Sequence, residues 1–402
     1  MTRSVFVINA GSSSLKYQLV DLRTGEALAS GLIERIGETT GEAKHAVPGR
    51  PTVVEQRLIP DHEKAFGWVL RQLDRHGPAL DEAGIIGIGH RVVQGGARFD
   101  RAVLIDDDVA QQIDDLAPLA PLHNPANLQG IRSARATFMG LPHVAVFDTA
   151  FHLTIPPAAH RYAIEERVAA EHRVRKYGFH GTSHQYVSRR MAELLGRPLD
   201  EVNTIVLHLG NGASATAVRG GRSVETSMGM TPLAGLVMGT RSGDVDPGVI
   251  VHLHRVAGLS IDEIDVLLNK RSGLLGLTGT GDMRDVLQAA EAGIPRAVEA
   301  LEIVAHRLRG TVGAYLAHLG RTDAVAFTAG IGENAARVRE LGLAGLEGLG
   351  IVLDPERNAG RGERRISADG SAIEVWVVPT NEELEIARQV AALVEQTAAG
   401  AQ

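Results

Sequence analysis

Two arginines stand where packing seldom puts them. Arg91 lies in Gly87-Ile88-Gly89-His90-Arg91-Val92-Val93-Gln94-Gly95-Gly96, and Arg241 in Met238-Gly239-Thr240-Arg241-Ser242-Gly243-Asp244. A guanidinium among glycines suits an anion with a planar two-donor fork; the alternative is a cation on a surface loop. Asp148 ends the run His143–Asp148, at what would be the carboxyl end of a strand. Ligands of α/β folds gather at such ends, although an aspartate there also serves as a helix cap. His180 and His184 have the spacing of two zinc ligands on a helix, but Gly181 follows the first and no third ligand stands out.

Three turns could cradle phosphate. Asn9-Ala10-Gly11-Ser12-Ser13-Ser14-Leu15-Lys16 offers three hydroxyls, backbone N–H groups and a lysine, in a chain where arginine greatly outnumbers lysine. It lacks Walker A spacing and also reads as an ordinary hairpin turn. His208-Leu209-Gly210-Asn211-Gly212-Ala213-Ser214 contains Asn-Gly, itself the strongest short hairpin signal. Gly330-Ile331-Gly332-Glu333-Asn334-Ala335 follows the run Ala324–Thr328 and has the form G-x-G-x-x-A, with Asp354 further on. Glu333 would set a negative charge against a pyrophosphate, so a nucleotide contact at a helix N-terminus is favoured over NAD. Anion cradles combined with isolated arginines are the recurring parts of phosphoryl transfer.

The elements that must hold these groups alternate. Strands are expected at Val5–Asn9, Tyr17–Val20, Gly87–Val93, His143–Asp148, Thr204–Leu209, Ala324–Thr328 and Glu374–Val378. Helices are expected at Glu63–His76, Ile261–Asn269, Ala297–Leu319 and Asn381–Gln396. Such mixing argues an α/β architecture. Val5–Val20 and Ile205–Val218 both read strand, glycine turn, strand. That echo suggests two related lobes with a ligand cleft between them. The expected division is an N-terminal lobe, 1–150, with a C-terminal helix 384–402 packing back on it, and a nucleotide-binding lobe, 151–383.

Composition closes off other classes. The 402 residues are 44% hydrophobic and 22% charged, ordinary for a globular chain of about two domains. The absence of cysteine excludes disulfides, thiolate catalysis and cysteine metal sites. A net charge of -7 argues against coating nucleic acid. No run approaches the about 18–20 apolar residues of a membrane span, and the N-terminus has no secretory apolar region. A cytoplasmic protein is expected.

The ordered stretches Val7-Ile8-Asn9-Ala10-Gly11-Ser12-Ser13-Ser14-Leu15-Lys16, His90-Arg91-Val92-Val93, Ala120-Pro121-Leu122-His123-Asn124-Pro125, Val146-Phe147-Asp148-Thr149-Ala150-Phe151-His152, Tyr177-Gly178-Phe179-His180-Gly181-Thr182-Ser183-His184, His208–Ser214, Gly239-Thr240-Arg241-Ser242-Gly243-Asp244, Gly281-Asp282-Met283-Arg284-Asp285, Phe327–Asn334 and Pro379-Thr380-Asn381-Glu382-Glu383 together resemble the acetokinase family. The resemblance runs over nearly the whole chain. It implies an actin-like, duplicated two-lobed fold with an interlobe cleft, shared with sugar kinases and heat-shock ATPases. It implies a homodimer and the reaction ATP + acetate to ADP + acetyl phosphate with Mg²⁺, for which Mn²⁺ can substitute. It also implies roles by position. Asn9 and Glu382 match the metal site. Lys16, His208, Leu209, Gly210, Asn211, Gly212, Asp282, Met283, Arg284, Gly330, Ile331, Gly332, Glu333 and Asn334 match nucleotide contacts. Arg91, Asp148, His180 and Arg241 match the catalytic set, and Val93, Leu122, Phe179 and Pro232, with Arg91, the acetate site. One departure is Gln94, where the family usually has histidine.

Charge then dictates the mechanism expected. Acetate is ionised at neutral pH and needs no base to become a nucleophile; it must instead approach a γ-phosphate of like charge. Arg91 should hold the acetate carboxylate, Arg241 and His180 the equatorial phosphoryl oxygens, and Asp148 should orient an arginine or a metal-bound water, a base role being the alternative. Competing readings are a propionate or butyrate kinase of the same family and a nucleotide-gated actin-like interaction protein.

Overall fold

Ser4–Ala10 (β1) is apolar almost throughout, and all its residues but Asn9 are buried. That is the pattern of a strand covered on both faces. In the computed structural model, which describes residues 3–78 and 83–400, β1 is the middle of the first sheet. Met1, Thr2, 79–82, Ala401 and Gln402 lie outside the described residues, and with them the outer ends of the first lobe and of the C-terminal segment expected above.

The chain divides into two compact units, one running to Phe151 and resuming at Asn381, the other His152–Thr380. In the first, β1 pairs antiparallel with Ser14–Asp21 (β2) and parallel with Ile85–Val92 (β6). With Ala27–Glu34 (β3), Gly41–Ala46 (β4), Val53–Arg57 (β5), Val103–Leu104 (β7) and His143–Phe147 (β8), the order is β5-β4-β3-β2-β1-β6-β8-β7. Helix α1, His62–His76, starts where Asp61 accepts a 2.8 Å bond from the Lys64 N–H. Basic Arg75 and His76 stand in its last turn, favourable to the helix dipole. Its Phe66, Trp68, Val69 and Leu73 pack with Phe6, Ile8, Leu15 and Tyr17 of the sheet. Asn124–Thr137 (α2) also covers the sheet. The C-terminal helix Glu382–Gly400 lies against β6 at Gly89, where a Cβ would come within 2.7 Å of Ile386. Only glycine lets the helix approach so closely.

In the second unit Asn203–Leu209 (β9), Ala213–Arg219 (β10), Arg222–Thr226 (β11), Ala324–Thr328 (β12), Arg364–Arg365 (β13) and Glu374–Val377 (β14) are ordered β11-β10-β9-β12-β14-β13. Among its helices are Gly181–Leu194 (α3), Pro247–Arg255 (α4), Ile261–Lys270 (α5), Met283–Glu291 (α6), Pro295–Leu319 (α7), Ala329–Asn334 (α8), Ala336–Leu343 (α9) and Pro355–Ala359 (α10). The long α7 buries Ala297, Ala300, Leu301, Ala305, Leu308, Val312, Tyr315 and Leu319, the spacing of a single helical stripe.

The strand sets β3-β2-β1-β6-β8 and β11-β10-β9-β12-β14 share one plan: an antiparallel trio followed by two parallel crossover strands. The expected α/β, actin-like, duplicated fold is therefore present, and the strand–turn–strand echo is its first step in each unit. One local expectation is corrected. The G-x-G-x-x-A stretch is helix α8 itself, begun directly after β12, rather than a loop leading into a helix. A turn of helix satisfies its own backbone groups and leaves no glycine loop to wrap a dinucleotide.

Candidate functional site

In the first unit β6 and β8 run parallel with Arg91 opposite Val146, and Asp148 follows directly after β8. The backbone N–H of Asp148 donates to Val92 O, fixing the strand end. Arg91 Nε then meets Asp148 Oδ1 at 3.0 Å and Nη2 meets Oδ2 at 2.5 Å. Asp148 is 1% exposed, so this is a buried bidentate pair. Burial pushes the Asp148 carboxyl up to about 6; the Arg91 charge opposes that rise and the Glu382 carboxylate adds to it. The opposite edge of the guanidinium turns toward Asn9, whose Oδ1 is 3.5 Å from Nη1, and Glu382 Oε2 is 4.0 Å from Nε. Lys16 pairs with Glu383. Asn9, Asp148 and Glu382 thus gather around the Arg91 guanidinium.

Val93 is held from behind by Asn127. The Asn127 side chain accepts from Val93 N at 3.1 Å and donates to Ala10 O at 2.7 Å, joining the β1–β2 turn to the end of β6. Gln94 Oε1 accepts from Gly96 N at 2.9 Å, while its Nε2 is buried without a partner among the described residues. Leu122 is 66% exposed, in contrast to buried Val93.

In the second unit His180 caps α3 in left-handed backbone geometry, φ 56° and ψ 28°. For a residue with a Cβ this is strained, and such strain is concentrated at functional positions. The ring stacks on His208 with centroids 4.2 Å apart. Phe179 is buried next to it, its carbonyl 2.9 Å from His152 Nε2. Arg241 donates from Nη1 to Pro232 O at 2.7 Å. Gly212 ties these groups together. A Cβ there would lie 3.3 Å from Arg241 Nη2 and 3.6 Å from His180 Nε2. Imidazole and guanidinium therefore flank one bare stretch of backbone.

Beyond it opens a cavity of about 750 Å³, lined by Gly210, Asn211, Asp282, Met283, Arg284, Gly330, Ile331 and Asn334 among others. Its volume is that of a pocket for a drug-sized or nucleotide-sized molecule. Three of the segments singled out for nucleotide contact line it together. Asp282 caps α6, and its bonds to Arg284 hold its carboxyl down at about 2. Glu333 is half-buried, and burial raises its carboxyl despite the backbone N–H groups that favour its ionised form.

Several supporting residues had no role assigned from the sequence. Arg339 of α9 is 1% exposed and has no carboxylate partner among the described residues. It donates to Gly332 O at 2.8 Å and Glu333 O at 3.1 Å, the C-terminal carbonyls of α8, and to Asn358 Oδ1 at 2.8 Å on α10. Ser183 bonds His208 Nδ1 at 2.8 Å, and Ser214 bonds both His180 and His184. His184 is fully enclosed and linked to a hydroxyl, with no set of three metal-ligating side chains among the described residues.

The acetokinase-family model matches residues 4–388. The acetate kinase of Leifsonia xyli subsp. xyli is 62% identical over 388 residues, 96% of this chain and 98% of that protein. The crystal structure of Porphyromonas gingivalis acetate kinase superposes with a TM-score of 0.91 at 43% identity, covering 96% of this chain and 98% of that one. A propionate kinase from Francisella tularensis subsp. tularensis matches with a TM-score of 0.91 at 42% identity and the same coverage.

Proposed function

The chain belongs to the acetokinase family, and on that footing we propose that it is a phosphotransferase with a carboxyl acceptor, moving the γ-phosphoryl group of ATP reversibly and in line to acetate to give ADP and acetyl phosphate. The observation that carries the reading is the gathering of the His208–Gly212, Asp282–Arg284 and Gly330–Asn334 segments around one cavity. Acetate over a longer acid is favoured by relatives at 62%, 58% and 50% identity that are named acetate kinases.

In this mechanism no group need deprotonate the nucleophile. Arg91 presents the acetate carboxylate with the guanidinium edge that Asp148 does not occupy, and Asp148 fixes the plane of that guanidinium. Val93, Leu122, Phe179 and Pro232 are assigned to the methyl group by their match to the family. Arg241 neutralises the equatorial oxygens of the phosphoryl group in transit and His180 donates a hydrogen bond to them, the kind of electrostatic stabilisation that dominates phosphoryl transfer. Lys16 contributes charge to the nucleotide phosphates. Asn9 and Glu382 fit Mg²⁺ or Mn²⁺, because they offer only hard oxygen donors and too few of them to exclude waters and phosphate oxygens. When bound, the ion would neutralise nucleotide charge.

The same reading makes the protein a cytoplasmic homodimer with no nucleic-acid or membrane partner. Helix α4 supports the dimer: it buries none of its residues although it carries Val249, Ile250, Val251 and Leu253. No described helix is long and apolar enough to cross a membrane.

The test is to mix the protein with Mg-ATP and a panel of carboxylates and trap acyl phosphate with hydroxylamine. Product with acetate above all other acids is expected. Product with propionate or butyrate alone moves the assignment within the family, and no product with any acid rejects it.

A further inference from the structure

Ser214, in β10, places one hydroxyl between two imidazoles. His180 Nδ1 lies 2.9 Å from Ser214 Oγ and His184 Nε2 lies 2.7 Å from the same atom. Both Ser214 and His184 are at 0% exposure. A serine hydroxyl has a single proton to give and two lone pairs with which to accept, so it cannot donate to both rings. Three proton arrangements are open.

If both rings donate to Oγ, the seryl proton has no acceptor among the described residues. If His180 donates from Nδ1 and Ser214 donates to His184 Nε2, a neutral His184 carries its own proton on Nδ1. That atom is buried and has no hydrogen-bond partner among the described residues. In the third arrangement His184 Nε2–H donates to Ser214, Ser214 donates to His180 Nδ1, and the atom left bare is only the lone pair of His184 Nδ1. An unpaired buried N–H is rarer than an under-used acceptor, and the third arrangement alone leaves no donor of Ser214 or His184 unpaired. Burial, with His152 and His208 close by, holds His184 well below the ordinary imidazole range and therefore neutral, as this arrangement requires.

We propose that His184 and Ser214 are positioning residues that lock His180 in the tautomer protonated at Nε2, so that a neutral His180 offers an N–H to the transferring phosphoryl oxygen. This rests on the assignment of His180 to the reaction. The direction of the chain matters, because the opposite tautomer would turn a lone pair toward an anionic oxygen. Nε2 is also the ring atom, with Cε1, that borders the Gly212 backbone shared with Arg241 Nη2, so the two donors serve one locus. The left-handed backbone at His180 fits a ring held for its aim rather than for a relaxed cap.

The test reads the tautomer directly. The full chain is labelled with ¹⁵N-histidine, and the His180 and His184 resonances are identified by their loss in His180→Gln and His184→Gln. At neutral pH His180 should be protonated at Nε2 and bare at Nδ1, and His184 protonated at Nε2. A His180 proton on Nδ1 overturns the proposal. In turnover, Ser214→Ala should lower kcat roughly 10–100-fold, the scale of a mis-aimed catalytic group, with the nucleotide KM changed by less than about twofold. His184→Gln, which keeps a donor near the Nε2 position, should retain more kcat than His184→Met. Undiminished kcat in Ser214→Ala rejects the proposal. The spectra are read without turnover, so they stand apart from the catalytic assignment; that assignment fails separately if His180→Gln keeps wild-type kcat.

Discussion

Arg91 and Asp148 meet edge to edge, Nε to Oδ1 at 3.0 Å and Nη2 to Oδ2 at 2.5 Å, with the carboxylate buried. Both carboxylate oxygens are thereby engaged as acceptors, which is the posture of an orienting group. A residue acting through its partner should couple to it. Arg91→Lys keeps the charge but loses the fork, and should lower kcat/KM for acetate about 100-fold with the nucleotide KM unchanged. Asp148→Asn should lower it comparably, and the double variant should be little worse than either single. Additive losses in that double-mutant cycle would instead give Asp148 its own chemical step.

Gly212 offers a second test, because its φ is not in the left-handed region and alanine is tolerated there by the backbone. The added methyl would sit 3.3 Å from Arg241 Nη2 and 3.6 Å from His180 Nε2. It should displace the guanidinium by a few tenths of an ångström while leaving the fold intact. A displacement approaching 1 Å at a catalytic group costs on the order of 10²-fold. Gly212→Ala should therefore lower kcat by roughly 10–100-fold at unchanged thermal stability, and Arg241→Ala by roughly 10³-fold or more. Wild-type kcat in Gly212→Ala would remove this pair from the reaction.

The sequence disclosed what is periodic or chemically out of place. The stripe of Ala297–Leu319 and the buried runs of β1, β9 and β12 identify themselves, and the structure gives them within a few residues. Gly41–Ala46 alternates buried and half-buried as a strand should, yet consists of Gly, Glu, Ala, Lys and His, poor strand formers by composition. Its strand character comes from its neighbours β3 and β5. Arg91 and Arg241 stood out through their glycines. Asn127 did not, because its role is to join Ala10 to Val93 across long stretches of chain. Ser214, Arg339 and the Gln94 side-chain bond are likewise products of tertiary contact.

Arg339 gives a prediction of a different kind. It serves as a buried cap for α8, whose Gly330, Ile331 and Asn334 line the large cavity. Removing the guanidinium strands the carbonyls of Gly332 and Glu333 and the Asn358 side chain, each at a cost of about 1–3 kcal/mol. Arg339→Met should therefore lower stability and raise the nucleotide KM several-fold while the acetate KM holds. Arg339→Lys, which can satisfy only some of the carbonyls, should fall between. A variant that is merely less stable, with both KM values intact, would show that α8 needs no such cap to hold its ligand.

The buried imidazoles predict an acid limb in stability. His45 and His152 are each lowered to about 4 by burial, and His90 and His184 are lowered well below 6.5 by burial and by neighbouring imidazoles. Each binds its proton more readily unfolded than folded. Their contribution is thus complete above the unfolded value near 6.5 and declines as pH falls from there toward 4. A displacement like that of His152 amounts to about 3 kcal/mol when integrated over that window. Asp148 acts in the opposite sense: its raised folded pKa adds stability as pH falls through about 6 toward 3.8. Four imidazoles outweigh one carboxyl, so the urea midpoint should fall between pH 7 and pH 5. Replacing His152 by Asn should make that fall shallower, since the group that gains a proton on unfolding is gone. A midpoint that holds level or rises over this range would mean that these rings titrate as they would in water.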